Sequence, residues 1–298
     1  MHVFVTGASG YIGRAVVAEL IAAGHRVTGL ARSDASASAV SGLGAAVHRG
    51  DLDDLDSLRR GAEAADGVVH LANKHDWVNP QVSNSAERAA VQALGDALAG
   101  SDRPLVIASG FALPGLGRPA TERDRSSAVG PDSMRGGAEN LVLSYADRGV
   151  RAVPVRFAPS VHGPGDYQFV AMVAQAARTR GASVYPGDGS NRWPAVHRSD
   201  AARLVRLALE GAPAGTVVHA VAEEGVPVRA IAEALAARLN VPVKSVPSEQ
   251  LAEELPFVGR VLAADSPATS VVTRELLGWQ PVGATLLEDI AAGHYDQP

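Results

Sequence analysis

Between residues 2 and 158, short β-branched runs alternate with longer Ala- and Leu-rich stretches whose apolar positions recur at helical spacing. HVFVTG (2–7), RVTGLAR (26–32), AAVHRGDL (45–52), GVVHLAN (67–73), PLVIASG (104–110) and VRAVPVRFA (150–158) read as six strands. YIGRAVVAELIAAG (11–24) reads as a helix closed by Gly24, and GGAENLVLSYADRG (136–149) as the helix between the fifth and sixth strands. Strands so continuously apolar leave no face for water, which predicts a parallel sheet with helices on both sides.

From about residue 159 the texture changes. PSVHGPGDYQ (159–168) and VYPGDGSNRWPAVHRSD (184–200) read as Gly/Pro-rich loops around one helix, 169–181. Residues 201–211 and 227–240 follow as helices, 216–224 as a strand, and the tail leads into a last short helix. No internal repeat or low-complexity linker separates the parts. The expected organisation is a nucleotide-binding domain over 1–158 and a substrate lobe over most of 159–298, interleaved into a single unit.

Composition narrows the function by exclusion. The 298 residues are 46% hydrophobic and 20% charged, ordinary for a globular chain. A formal charge of -5, with no cluster of Lys or Arg, argues against a nucleic-acid partner. The absence of cysteine removes disulfides, thiolate metal sites and a Cys nucleophile together. The nine histidines lack metal-ligand spacing and there is no Gly-x-Ser-x-Gly elbow, so neither a metal nor a serine nucleophile is expected. The first residues lack a basic start and a long enough apolar core for a signal peptide, and no later stretch reaches the ~18 residues that span a bilayer. The expectation is a cytoplasmic protein, monomer or homodimer, with a small-molecule substrate and no membrane partner.

TGASGYIG (6–13) leaves the first strand and opens the first helix. In that setting Gly7 allows the tight turn, Gly10 lets the backbone approach a pyrophosphate, and Gly13 lets helix and strand pack closely. The helix N-terminus supplies free N–H groups and partial positive charge for phosphate. This is a dinucleotide fingerprint, and it makes the fold a Rossmann-type doubly wound parallel sheet. The second strand ends in Arg32, with Ser33 beside it as a second donor, where a carboxylate would suit a ribose 2′-hydroxyl and an arginine suits a 2′-phosphate. That favours NADP(H), with NAD(H) possible. Asp51 and Leu52 end the third strand, where a carboxylate can accept from adenine and an aliphatic chain can cover it; Asp51 equally suits an N-cap of the next helix. Leu71, Ala72 and Asn73 end the fourth strand at the ligand-bearing edge.

TGASGYIG, GDL (50–52), HLA (70–72), Ser109, RFAPSVHGPG (156–165), GDGSNRWPAVHRSDAA (187–202) and LGWQP (277–281) together resemble the extended type of the short-chain dehydrogenase/reductase superfamily, along the whole chain. The resemblance implies cofactor contacts from Gly7, Ser9, Gly10, Tyr11, Ile12, Gly13, Arg32, Ser33, Asp51, Leu52, Leu71, Ala72, Asn73, Ser109, Arg135, Ala158, Ser160 and Val161. It also implies a Tyr-x-x-x-Lys pair in the helix after the fifth strand, four residues before a Glu. Matching Glu139 to that Glu puts Arg135 at the Lys position and Pro131 at the Tyr position. A slip of one residue puts Met134 and Gly130 there. Proline has no proton to give, and an arginine cannot shuttle one. The chain is therefore similar to an atypical subgroup with the extended-type glycines and an eroded active site.

The catalytic candidates follow. Ser109 matches the family Ser/Thr that bonds a substrate oxygen; a strand-end serine can equally bond its own backbone. Lys74, His75, Asp76 and Trp77 follow the fourth strand, and His75 is the leading substitute proton donor because imidazole titrates near neutral pH. His162 and Tyr167 lie in the loop that borders the nicotinamide in the family, and either can be acid or packing. His197 and Asp200 read as residues that dock the lobe on the sheet. The functional expectation is an NADPH-dependent reductase of a carbonyl, enone or imine with a non-standard site. The alternatives are a dinucleotide-binding protein without redox chemistry, a sensor or scaffold, and a non-redox isomerase or cyclase.

Overall fold

The computed structural model describes residues 1–76, 79–111, 116–255 and 258–297. Its strands are β1 (His2–Thr6), β2 (Arg26–Ala31), β3 (Ala46–Arg49), β4 (Gly67–His70), β5 (Pro104–Gly110), β6 (Arg151–Phe157), β7 (Ser160–His162), β8 (Ser183–Pro186), β9 (Arg192–His197), β10 (Val218–Ala220), β11 (Glu223–Pro227) and β12 (Val243–Val246). The helices are α1 (Tyr11–Ala22), α2 (Asp34–Gly42), α3 (Leu55–Glu63), α4 (Pro80–Leu98), α5 (Ala138–Ser144), α6 (Phe169–Arg180), α7 (Arg198–Gly211), α8 (Val228–Leu239), α9 (Ser248–Glu254), α10 (Val258–Ala263), α11 (Val271–Leu277) and α12 (Leu286–Ala291).

The main sheet runs β10-β6-β5-β4-β1-β2-β3, all parallel. The six strands expected before residue 158 are all present, and β1 lies inside the sheet between β4 and β2, as the doubly wound reading requires. Alternation along each strand sends Val3, Val5, Val69, Val106 and Val153 to one face, in a common core with Val16 and Val17 of α1 and Leu204 and Val205 of α7. Phe4, Val68, Leu105 and Ile107 point to the other face, in a core with Leu58 of α3, Leu94 of α4 and Val142 of α5. Both faces are buried, so the strands read as unbroken apolar runs.

The second half departs from the sequence reading in three places. Residues 216–224 do not make one strand. Val218–Ala220 pairs with β6 as a seventh strand of the main sheet, and Glu223–Pro227 pairs antiparallel with β9 in a separate sheet ordered β11-β9-β7. The two Gly/Pro-rich segments contain strands: β7 and β9 pair in parallel, and β8 pairs with β12. Short strands of this kind are made by tertiary pairing and burial rather than by local propensity. The chain returns to the main sheet for β10, so 159–298 is a lobe only in part.

The third departure concerns the helix expected from residue 136. Arg135, Gly136 and Gly137 have φ of 54°, 60° and 65°, a left-handed run, and regular helix begins only at Ala138. A side chain on Gly136 would place its Cβ 2.4 Å from the Asn84 carbonyl oxygen of α4, so the bend needs glycine for space as well as conformation. Pro131 and Arg135 therefore do not share a helical face, and neither pairing by a four-residue spacing holds.

Candidate active site

The phosphate turn is built as its glycines suggest. Gly7 has φ 69° and packs so tightly that a Cβ there would lie 2.8 Å from the Ala72 amide. A Cβ at Gly13 would sit 1.9 Å from the Gly7 carbonyl oxygen, which explains the third glycine by contact distance. Gly10 donates to that same carbonyl at 2.9 Å and caps α1, so the first amides of α1 turn outward at the carboxyl edge of β1. Ser9 keeps its carbonyl on the Arg14 guanidinium, at 2.8 Å. Tyr11 is buried with its hydroxyl donating to the Gly163 carbonyl, and Ile12 is half-buried against the core.

Toward β2 and β3 lies the end expected for adenosine. Arg32 is exposed, and among the described residues no hydrogen bond or ion pair engages it. Ser33 is a correction: its hydroxyl caps α2 in a reciprocal box with Ser36 and is not a free donor. Arg49, which sequence reasoning passed over, ends β3 opposite Ala31 and pairs with Asp34 at 2.6 Å. Asp51 is not the N-cap of α3, which is Asp54, accepting from the Ser57 amide at 2.9 Å. The Asp51 carboxylate accepts from the Asp53 amide in the same turn, at 3.1 Å, and its carbonyl from the Asp54 amide at 3.2 Å. Leu52 beside it lines an open groove of about 520 Å³ with Leu55, Val82 and Ala86, and the Lys74–Asp53 pair, 2.7 Å long, stands at its rim.

Toward β4, β5 and β6 the strand ends meet α4 and α5 in a dense polar network. His70 and Thr6 share the α4 face of the sheet, their side chains 2.8 Å apart, and Thr6 Oγ1 also accepts from the Ala72 amide at 3.3 Å. The Leu71 amide bonds the Thr6 carbonyl at 3.2 Å, so both residues after His70 are strapped to β1. Burial, helped by the positive Arg135, pulls the His70 pKa down to about 3, so the ring is neutral. Asn73 donates to Glu87 Oε2 at 2.6 Å and accepts from the His75 amide at 2.8 Å. Glu87, a buried carboxylate of α4 that sequence reasoning missed, also takes Arg135 through Nε and Nη2. A polar position on an otherwise apolar helix face was the available signal.

Ser109 differs from expectation. Its hydroxyl donates to Glu139 Oε2 at 2.6 Å, and that carboxylate is clamped by Arg156, 3.0 Å from Nε and 2.6 Å from Nη2. Arg156 is fully enclosed and also reaches the Asp124 carbonyl and the His219 ring. The serine proton is thus committed to a buried ion pair. His75 keeps an exposed edge and has φ 51°; the packed atoms around its ring, then the Arg135 charge, lower its pKa. Trp77 lies outside the described residues.

The loop after β6 gives its five candidates, Ala158, Ser160, Val161, His162 and Tyr167, surroundings that sequence alone left open. Ser160, Val161 and His162 form β7 and are buried, so their side chains face the interior rather than a ligand. His162 bonds Asp289 of α12 at 2.5 Å, and burial lowers its pKa, which fits a ring that docks α12 rather than an acid open to substrate. Ala158 is also buried, its amide on the Ala220 carbonyl of β10 at 3.4 Å. Tyr167 is 61% exposed, but its oxygen accepts the Tyr11 amide at 3.0 Å, on the phosphate turn and not beside Ser109. Next to it Asp166 accepts from Tyr295 at 2.9 Å, and burial raises the Asp166 pKa to about 6. His197 caps α7, and Asp200 accepts the Val282 and Gly283 amides, which ties the C-terminal segment to α7.

No group of three metal-ligating side chains and no helix long and apolar enough to cross a membrane occurs among the described residues.

Residues 3–222 match the model of the NAD dependent epimerase/dehydratase family. The chain is 43% identical over 296 residues to an uncharacterized protein of Schizosaccharomyces pombe, with 99% of this chain and 100% of that one covered. It is 32% identical over 270 residues to the 2'-dehydrokanamycin reductase of Streptomyces kanamyceticus, covering 86% of this chain and 72% of the reductase. The fold matches that of DesIV, the dTDP-glucose 4,6-dehydratase of Streptomyces venezuelae with NAD bound, with a TM-score of 0.79 at 20% identity, covering 99% of this chain and 96% of that one. With a glycine turn, sheet order and matched length in agreement, the chain belongs to the NAD dependent epimerase/dehydratase family, within the extended short-chain dehydrogenases/reductases.

Proposed function

We propose that this protein binds NADP(H) along the carboxyl edge of its main sheet and reduces a small carbonyl, enone or imine with a non-standard active site. One observation carries the binding part: the first amide of α1 already donates outward to an oxygen, that of Tyr167, at 3.0 Å. A turn that presents an amide to a phenol oxygen fits a phosphate oxygen, which is smaller and charged. Gly7, Gly10 and Gly13 would hold the pyrophosphate, Asp51 and Leu52 the adenine, and Arg32 the 2′-phosphate. Asn73 and Arg135 would lie at the nicotinamide end, beyond β4 on the far side of the turn. When bound, the nicotinamide supplies the hydride.

The protein's own residues then supply orientation more than acid. Arg135 offers ribose a guanidinium edge, but it cannot move a proton. Ser109 releases its hydroxyl to a substrate oxygen only by giving up Glu139. His75 is the remaining titratable group at the mouth and serves as the proton donor in this reading. Reductase activity agrees with the name of the Streptomyces kanamyceticus relative, a 2'-dehydrokanamycin reductase. The commitment of Ser109 to Glu139 favours a second reading, dinucleotide binding without redox chemistry.

The test is a titration with NADPH, NADP⁺, NADH and NAD⁺, followed by NADPH consumption over carbonyl, enone and imine panels. NADPH should bind at least about ten-fold tighter than NADH, about 1.4 kcal/mol, and Arg32→Ala should erase the preference. Equal affinities in the unaltered protein would remove the NADPH assignment. Binding without turnover on any panel would favour the second reading.

A further inference from the structure

We infer that Glu87 is a positioning residue at the nicotinamide end: it holds Arg135 in place and cancels its charge, keeping the site open to the oxidised, cationic form of the cofactor. The inference rests on the reading above that a nicotinamide dinucleotide binds here. Its evidence is the geometry around one buried carboxylate. Glu87 is 1% exposed, and both its oxygens are occupied. Arg135 Nε lies 3.0 Å from each, Nη2 bonds Oε1, and Asn73 Nδ2 donates to Oε2 at 2.6 Å.

The backbone shows that this arrangement is imposed. Arg135 sits at φ 54°, a left-handed conformation unfavourable for an arginine. It is kept there by Gly136 and Gly137, and by a second staple from α4, since Arg88 Nη1 donates to the Gly136 carbonyl at 2.8 Å. Nε and Nη2 face Glu87, and Nη1 has no hydrogen-bond partner among the described residues. The arginine side chain is about one-third exposed while the carboxylate is enclosed, so the pair is a buried anchor with an open cationic edge. Such an edge suits the hydroxyls of a ribose.

The charge has a separate consequence. The oxidised nicotinamide ring carries a positive charge that the reduced ring lacks. An uncompensated guanidinium beside it would weaken binding of the oxidised form and leave the reduced form nearly unaffected. Two other cations of the region are paired in the same manner, Arg156 with Glu139 and Lys74 with Asp53, while Arg88 bonds the Gly136 carbonyl. Removing Glu87 alone breaks that balance at the position nearest the cleft.

The experiment measures dissociation constants of NADP⁺ and NADPH for the unaltered protein, Glu87→Gln, Arg135→Gln and the double variant, with melting curves to confirm folding. Glu87→Gln should raise the NADP⁺ constant relative to that of NADPH by about five-fold, the effect of one unit charge several ångströms away in a half-solvated site. Arg135→Gln should move the ratio the opposite way, and the double variant should restore it to within about two-fold. If Glu87→Gln does not fold, Glu87→Asp keeps the charge but draws it back by one methylene, and must shift the ratio less and in the same direction. Single variants that move the ratio together, or leave it unchanged while cofactor still binds, overturn the inference. Failure of the unaltered protein to bind any of the four dinucleotides overturns the reading beneath it, and the inference falls with it.

Discussion

Replacing Glu139 by glutamine should destabilise the protein by about 3 kcal/mol, because the change strips the counter-charge from a guanidinium that has no water to turn to. Arg156 is 0% exposed and delivers Nε and Nη2 to the Glu139 carboxylate, which also accepts the Ser109 hydroxyl. Breaking a buried pair by removing one partner is worth about 3–5 kcal/mol. The lower end applies here. Arg156 retains the Asp124 carbonyl at 2.7 Å and the His219 ring nitrogen at 3.2 Å, and glutamine can still accept one bond through its carbonyl oxygen. At roughly 2–4 °C per kcal/mol for a domain of this size, the melting temperature should fall by about 6–12 °C. Urea unfolding of the two proteins measures the difference. Ser109→Ala supplies the internal control. It should cost about 1–2 kcal/mol alone, since it removes one hydrogen bond to a charged group, and markedly less on the Glu139→Gln background. A Glu139→Gln loss below about 1 kcal/mol would refute the view that this pair is an isolated buried charge couple. Full additivity of the two changes would mean the Ser109 proton does not serve Glu139.

Other outcomes follow from contacts already described. Gly13→Ala puts a methyl carbon where the Gly7 carbonyl oxygen stands 1.9 Å away, so it should lose about 2–3 kcal/mol by urea unfolding and lose dinucleotide binding, despite alanine's better helix propensity; normal binding would deny the turn its role. His70, with its folded pKa lowered to about 3 from 6.5, contributes stability that is present above the unfolded value and lost as pH falls through it. Between pH 7 and pH 5 that loss is about 2 kcal/mol, and His70→Gln should shrink the measured drop by that amount; an unchanged pH dependence counts against a neutral buried ring.

The glycines of residues 7–13 were legible because their spacing is a local signature: Gly10 and Gly13 are fixed by their approach to Gly7 within the same turn, and Gly7 by its positive φ and by the segment after β4. The six strands before residue 158 were legible for the same kind of reason, since burial on both faces leaves an apolar run no other conformation. β7, β8 and β9 were not legible. Their residues sit among prolines and glycines and become strands only when β9 pairs with β7 and β11, and β8 with β12, across long sequence separations. Glu87 lay hidden within an amphipathic helix, where a carboxylate reads as a solvated face until the partner strand ends are in place. Arg135 could be located in sequence, but its orientation could not, since the left-handed run depends on α4 packing against Gly136. His162 and Tyr167 could be located in a loop, but acid or packing stayed open for both. Which side of a loop a ring faces is decided by the C-terminal residues that pack on it, Asp289 for one and the Asp166–Tyr295 contact beside the other.

The Tyr167 oxygen sits on the one amide that opens α1, and an N–H has a single proton to share. An incoming phosphate that takes that amide must take it from the phenol. If a dinucleotide binds as proposed, its apparent affinity is the intrinsic affinity scaled by the fraction of molecules in which the ring has left that amide. The segment that carries the ring is held from a distance along the chain: Asp166, one residue before the ring, is bonded by Tyr295, and the Tyr295 carbonyl is in turn bonded by Arg178 of α6. Under the proposed reading, Tyr295 and Arg178, far along the chain from residue 11, would therefore bear on how readily the first turn of α1 receives a phosphate.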